Sequence, residues 1–79
     1  MQTIYKKLHA SSPLSKREVE ILRFLEQGKT TSQIATGLYI SENTVKTHVH
    51  HIMSKLDVSS RRDAVRRAYE LGILHRQDV

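Results

Sequence analysis

Seventy-nine residues leave room for one domain. With 38% apolar residues, four aromatics and no cysteine, the chain can bury only a small aliphatic core, and it has no disulfide, thiolate nucleophile or usual zinc ligand set. Thirteen Lys and Arg against eight Asp and Glu leave a net charge of +5, with five His besides, a balance that suits a polyanionic partner, nucleic acid first.

Residues 1–13, MQTIYKKLHASSP, carry no sustained periodicity and end in Ser-Ser-Pro, so they are expected to be a leader or linker. Ser15 with Glu18 forms a capping-box pattern, and Leu14 and Val19 stand at the two positions of a hydrophobic staple. A first helix over about 16–27 follows, with Val19, Ile21, Leu22 and Leu25 apolar and Gly28 as its stop. Thr30 with Gln33 repeats the cap pattern for a two-turn helix with Ile34, Ala35 and Leu38 on one face. Gly37 inside it costs about 1 kcal/mol relative to Ala, so this helix needs tertiary support. Ser41 caps a third helix after a tight three-residue turn, with Ile40 and Val45 as another staple pair.

From Glu42 to Leu56 there is no Gly or Pro. At ~100° per residue, Val45, Val49, Ile52 and Leu56 fall within about 60° of one another, a narrow apolar stripe. Asn43, Lys46, Thr47, His50 and Ser54 fall opposite, all able to form hydrogen bonds and none bulky or apolar. Ser60 with Asp63 caps a fourth helix carrying Ala64, Val65, Ala68 and Leu71 and ending at Gly72, and residues 75–79 read as a tail. The expected fold is all-α, four short helices over residues 14–74.

Two helices joined by a three-residue turn, the second longer and polar on its outer face, meet the geometric needs of a helix-turn-helix that sets one helix in a major groove. Lys46 can reach guanine O6 or N7, Thr47 can bond a base edge or touch a thymine methyl, and His50 can donate to guanine or phosphate. These three are the candidate base contacts. Thr30, Thr31 and Ser32 gather at the start of the second helix, where open amides and the helix dipole favour an anion. Thr44, His51 and Lys55 flank the reading face, and together these six are the candidate phosphate contacts. Capping alone accounts for Ser41, and it competes with phosphate binding as the reading of Thr30.

The strings LSKREVEILRFLEQGKT and SQIATGLYISENTVKTHVHHIMSKLDVSSRRDAV closely resemble the LuxR-type helix-turn-helix domain, also called GerE-like or FixJ/NarL-like, of bacterial transcription regulators. The resemblance covers Leu14 to about Leu74. It rests on Arg17-Glu18, Ile34-Ala35, Thr44-Val45-Lys46-Thr47-His48, Lys55-Leu56 and Ser60-Arg61 at the family's spacings without insertion. It implies a tetrahelical domain that binds double-stranded DNA sequence-specifically, with the third helix in the major groove and Lys46, Thr47 and His50 facing bases. It also implies a homodimer contact through the fourth helix on DNA, a possible partner in RNA polymerase, and a place in the cytoplasm, on the bacterial nucleoid. In the family the Glu of the first helix pairs with the Arg that opens the fourth, which makes Glu18 and Arg61 the expected structural ion pair. The chain departs from the common pattern at Gly37 and in the His50-His51 pair.

Competing readings are weaker. His48 and His51 share a side of the third helix while His50 points elsewhere, and no acid stands suitably nearby, so no metal and no cofactor are expected. No nucleophile elbow, phosphate loop or carboxylate pair is present, which argues against an enzyme. Apolar runs reach only three residues, far from the ~20 that span a bilayer, so no membrane partner is expected. The alternatives are a protein-interaction module of the same fold and the promoter-reading region of a sigma factor. The first would favour an acidic or apolar outer face on the third helix. The second lacks the Lys-Leu-x-Val-x-Ser-Arg stretch and the full fourth helix. Arg61, Arg62, Arg66 and Arg67 read as a solvated face before a second nucleic-acid patch.

With His50 and His51 beside DNA, duplex affinity is expected to rise at lower pH, because a protonated imidazole is attracted to phosphate. Duplex affinity that stays flat from about pH 8 to about pH 6 removes this protonation effect.

Overall fold

Each helix starts where a hydroxyl side chain can take up an open amide. In the computed structural model, which describes residues 14–75, Ser15, Thr30, Ser41 and Ser60 accept hydrogen bonds from the amides of Glu18, Gln33, Thr44 and Asp63 at 3.0–3.1 Å. At Ser15 and Thr30 the box is closed in return, since their amides donate to Glu18 Oε1 and Gln33 Oε1 at 2.9 Å. The helices that follow are α1 (Lys16–Glu26), α2 (Thr31–Leu38), α3 (Glu42–Lys55) and α4 (Arg61–Glu70), and no strand occurs among the described residues. The expected leader, residues 1–13, and the expected tail beyond His75 lie outside the described residues.

All four helices also stop in one way. A residue in the left-handed region follows each C-terminus, and the amide after it reaches back to a carbonyl five residues earlier: Lys29 to Phe24, Ile40 to Ala35, Val58 to Met53 and Ile73 to Ala68, at 2.8–3.0 Å. Gly28 and Gly72 supply that conformation at no steric cost, whereas Tyr39 (φ 58°) and Asp57 (φ 57°) adopt it with a Cβ in place. This is why the connection from α2 to α3 is as short as the sequence implies.

Ile21, Leu22 and Leu25 of α1, Ile34 and Ala35 of α2, Val45, Val49 and Ile52 of α3, and Ala64 and Ala68 of α4 form one buried cluster with Leu14, Leu56 and Leu74. α3 lies centrally, packed against α1, α2 and α4, and α1 also packs on α4. Burying a side chain of this size contributes about 1.5–3 kcal/mol, so the four residues of the α3 stripe are the largest block of the core drawn from one segment. One apolar assignment differs from expectation. Leu71 is 51% exposed and Leu74 is 3% exposed. Because α4 stops at Glu70 and the chain reverses at Gly72, helical spacing no longer aims Leu71 inward, and the turn delivers Leu74 instead.

Gly37 receives its tertiary support from Phe24, whose ring atom Cζ would lie 3.5 Å from a Cβ built at that position. That is ordinary van der Waals contact, so Gly37→Ala is expected to raise stability by about 0.5–1 kcal/mol. Thermal unfolding should show a midpoint several degrees higher, and a lower midpoint would mean that the α1–α2 contact has no room for a methyl group.

Candidate nucleic-acid interface

The inward stripe of α3 leaves no choice about what faces out. With Val45, Val49 and Ile52 buried, Lys46, Thr47 and His50 are exposed, as are Asn43 and Ser54 on the same flank. Thr47 Oγ1 donates to its own helix at Asn43 O, 3.1 Å away. With its one proton so engaged, Thr47 presents lone pairs and a methyl group outward. The His50 and His51 rings lie 6.3 Å apart and tilted by 53°, adjacent but without stacking.

The six candidate phosphate contacts fall into two groups. Thr30, Thr31 and Ser32 open α2, and Thr44, His51 and Lys55 belong to α3. Thr30 and Ser32 are exposed and Thr31 is half-buried. Thr30 is used as a cap, but accepting from Gln33 leaves its hydroxyl proton available. Thr44 Oγ1 accepts from Ser41 at 2.8 Å, so Ser41 serves α3 through two bonds. His51 is exposed. Lys55 is the exception, because its ammonium is already engaged.

Lys55 Nζ donates to Glu18 Oε1 at 2.9 Å. The expected Glu18–Arg61 pair is thereby corrected: Glu18 holds Lys55 of α3, and Arg61 instead donates from its guanidinium to Thr31 Oγ1. The reason lies in the depth of Glu18. It is 4% exposed, and the same Oε1 that accepts from the Ser15 amide meets the end of α3. Its carboxylate therefore couples the start of α1 to the last turn of α3. His48, half-buried on the same flank of α3, adds a Coulombic contribution, and its Nδ1 is buried without a hydrogen-bond partner. Burial alone would push the Glu18 carboxyl up, but the Ser15 amide, the Lys55 ammonium and His48 together outweigh it and hold the group below its ordinary value of 4.5. The spacing of His48 and Lys55, seven residues apart at the edge of the apolar stripe, was the available sign that Lys55 lies beside the core.

On α4 the two later arginines, Arg66 and Arg67, are matched by acids. Arg66 donates to Glu70 at 3.0 Å and to Asp63 at 3.3 Å, and Arg67 lies 3.7 Å from Glu70. The hydrogen bond to Asp63, followed by the charges of Glu70 and Asp63, raises the Arg66 pKa above its ordinary value. Exposed pairs of this kind add little stability, yet they offset half of the charge of the run. Among the described residues no group of three His, Asp or Glu side chains is placed to hold a metal ion, and no helix is long and apolar enough to cross a membrane.

Comparison with known proteins converges on one family. A family model described as bacterial regulatory proteins, luxR family, matches residues 12–68. The spore germination protein GerE of Bacillus subtilis is 42% identical over 69 residues, which cover 87% of this chain and 93% of GerE. The transcriptional regulatory protein LiaR of the same organism is 53% identical over 51 residues, 65% of this chain but only 24% of LiaR, so the chain spans about a quarter of that longer relative. Among solved structures, the response regulator ChrA of a heme-sensing two-component system superposes with a TM-score of 0.75 at 51% identity, over 77% of this chain and 30% of ChrA.

The lowered carboxyl of Glu18 gives stability a defined pH dependence. Its contribution is complete above the unfolded value near 4.5 and is lost as pH falls through the still lower folded value. Lys55 is 41% exposed, so solvent screens the pair, and Glu18→Gln should cost about 1–3 kcal/mol at neutral pH, between an exposed and a fully buried ion pair. Urea unfolding should show that gap narrowing on acidification. A gap of constant size down to pH ~3 would assign the loss to packing.

Proposed function

Because the chain belongs to the luxR family of bacterial regulatory proteins, we propose that it binds double-stranded DNA sequence-specifically as the DNA-binding part of a transcription regulator, with α3 lying in the major groove. The observation that carries this reading is the exposure of Lys46, Thr47 and His50 on the flank of α3 opposite a fully buried stripe. A groove about 12 Å wide admits a helix whose protruding side chains can form hydrogen bonds and are not acidic, and this flank qualifies. Lys46 donates to guanine O6 or N7. Thr47, its proton held by Asn43 O, accepts from an exocyclic amine or packs its methyl against thymine, and His50 donates to guanine.

Phosphates are gripped by Thr30, Thr31 and Ser32 at the start of α2 and by Thr44 and His51 beside the reading face. Lys55 reaches a phosphate with the ammonium protons that Glu18 does not take. A single reading helix covers only a few base pairs, so useful specificity calls for two copies on two half-sites. We assign the contact between them to α4 and place the regulator in the cytoplasm on the nucleoid, with RNA polymerase as a further partner.

Binding of a selected duplex and of mixed-sequence DNA, each measured at several salt concentrations, tests the division of labour. Each phosphate neutralised by a cationic side chain adds about 0.9 to the magnitude of the log–log slope, while the hydroxyl contacts add none. Lys46→Ala should lower discrimination between the two duplexes by about 1–3 kcal/mol, roughly 5- to 150-fold, while His51→Ala should weaken both alike. Absence of salt-sensitive duplex binding would refute the function, and equal losses from the two substitutions would refute the assignment of Lys46 to bases.

A further inference from the structure

Arg61 is left without the acid that the sequence provides for it. Glu18, the deepest carboxylate of the domain, is satisfied by Ser15 and Lys55, and no carboxylate pairs with Arg61 among the described residues. Arg66 has both Asp63 and Glu70 and Arg67 has Glu70, whereas the adjacent Arg62, like Arg61, pairs with no carboxylate among the described residues but has no hydrogen bond such as the one that fixes Arg61. Arg61 is exposed at the first turn of α4, and it is fixed there: its guanidinium donates to Thr31 Oγ1 in the first turn of α2, thirty residues away in sequence. One N–H is spent on that bond, which leaves the guanidinium four further donors.

The location gives this unspent charge a use. When the second helix of a helix-turn-helix lies in the major groove, the helix before it crosses the sugar–phosphate backbone. α2, about 12 Å long for its eight residues, starts one groove-width from the turn that leads into α3. Arg61 is thus held at the end of α2 away from the turn, where, with α3 in the groove, the bordering backbone strand would pass. A guanidinium offers a planar fork that matches two phosphate oxygens, and pre-orientation lowers the entropy lost on binding.

We propose that Arg61 is a DNA-backbone contact, a phosphate clamp from α4 set by Thr31, and not a member of the folding ion pair. This rests on the proposed function, with α3 in the groove. It enlarges the interface from two helices to three and gives the first turn of α4 a part in binding separate from any contact between copies.

The test uses the whole chain, a short mixed-sequence duplex and a salt titration, with thermal unfolding of each variant in parallel. Arg61→Gln should reduce the magnitude of the log–log slope by about 0.9, one phosphate's worth, which corresponds to roughly eightfold weaker binding at ~0.1 M salt. Arg61→Lys should restore the slope, and the unfolding midpoint should stay within error in both variants. Arg66→Gln, which removes the same formal charge from a site already matched by acids, should leave the slope nearly unchanged. An unaltered slope with a lowered midpoint in Arg61→Gln would make Arg61 a folding residue and overturn the proposal. Equal slope changes from Arg61→Gln and Arg66→Gln would overturn it in favour of diffuse charge. No duplex binding by the unsubstituted chain would instead bring down the functional reading, and this inference with it.

Discussion

The rotation of α3 about its own axis is the constraint on which the rest depends. Val45, Val49 and Ile52 are buried with Leu56 in one cluster shared with α1, α2 and α4. Turning the helix by a quarter would bring Lys46 toward that cluster and expose Val45, at a cost of several kcal/mol in lost apolar burial and a desolvated ammonium. The outward set of Lys46, Thr47 and His50 is therefore held by packing that involves none of those three residues. Side chains on that flank can be exchanged while the fold keeps its register.

Glu18 supplements this packing with direction. Apolar contacts fix which face of α3 is buried but resist sliding along the axis only weakly, since neighbouring aliphatic groups can substitute for one another. The charge-assisted bond from Lys55 to an oxygen already anchored at the Ser15 amide fixes the last turn of α3 against the first turn of α1. α3 is thus positioned along its length by a polar contact and around its axis by apolar ones.

Most of the scaffold was legible in the sequence because it is written in local patterns. Ser15, Thr30, Ser41 and Ser60 stand three residues before the amides they cap, and the α3 stripe repeats at helical spacing, so both can be read without knowledge of the rest of the chain. What escaped was tertiary. The choice of Lys55 over Arg61 as partner for Glu18 depends on how α1, α3 and α4 meet, and family resemblance pointed to the wrong cation. Leu71 was misplaced because helical periodicity was continued one residue past the end of α4, just before the chain reversal at Gly72 that buries Leu74. Of the candidate site, the exposure of the α3 flank could be inferred by elimination from the buried stripe. The engagement of Thr31 with Arg61 had no local signature, with thirty residues between them.

The shared manner in which the four helices end bears on how such a domain meets a ligand. Each connector is closed by backbone hydrogen bonds that reach back into the preceding helix, and two of them hold a non-glycine residue in the left-handed region. Little of the connecting chain is left to order at the moment of encounter. Complex formation would then proceed as the docking of a finished rigid body, its heat-capacity change limited to the surface covered and free of the large term that accompanies coupled folding. Differences in affinity among target sites would be expressed mainly in how long the complex lasts, not in how fast it forms.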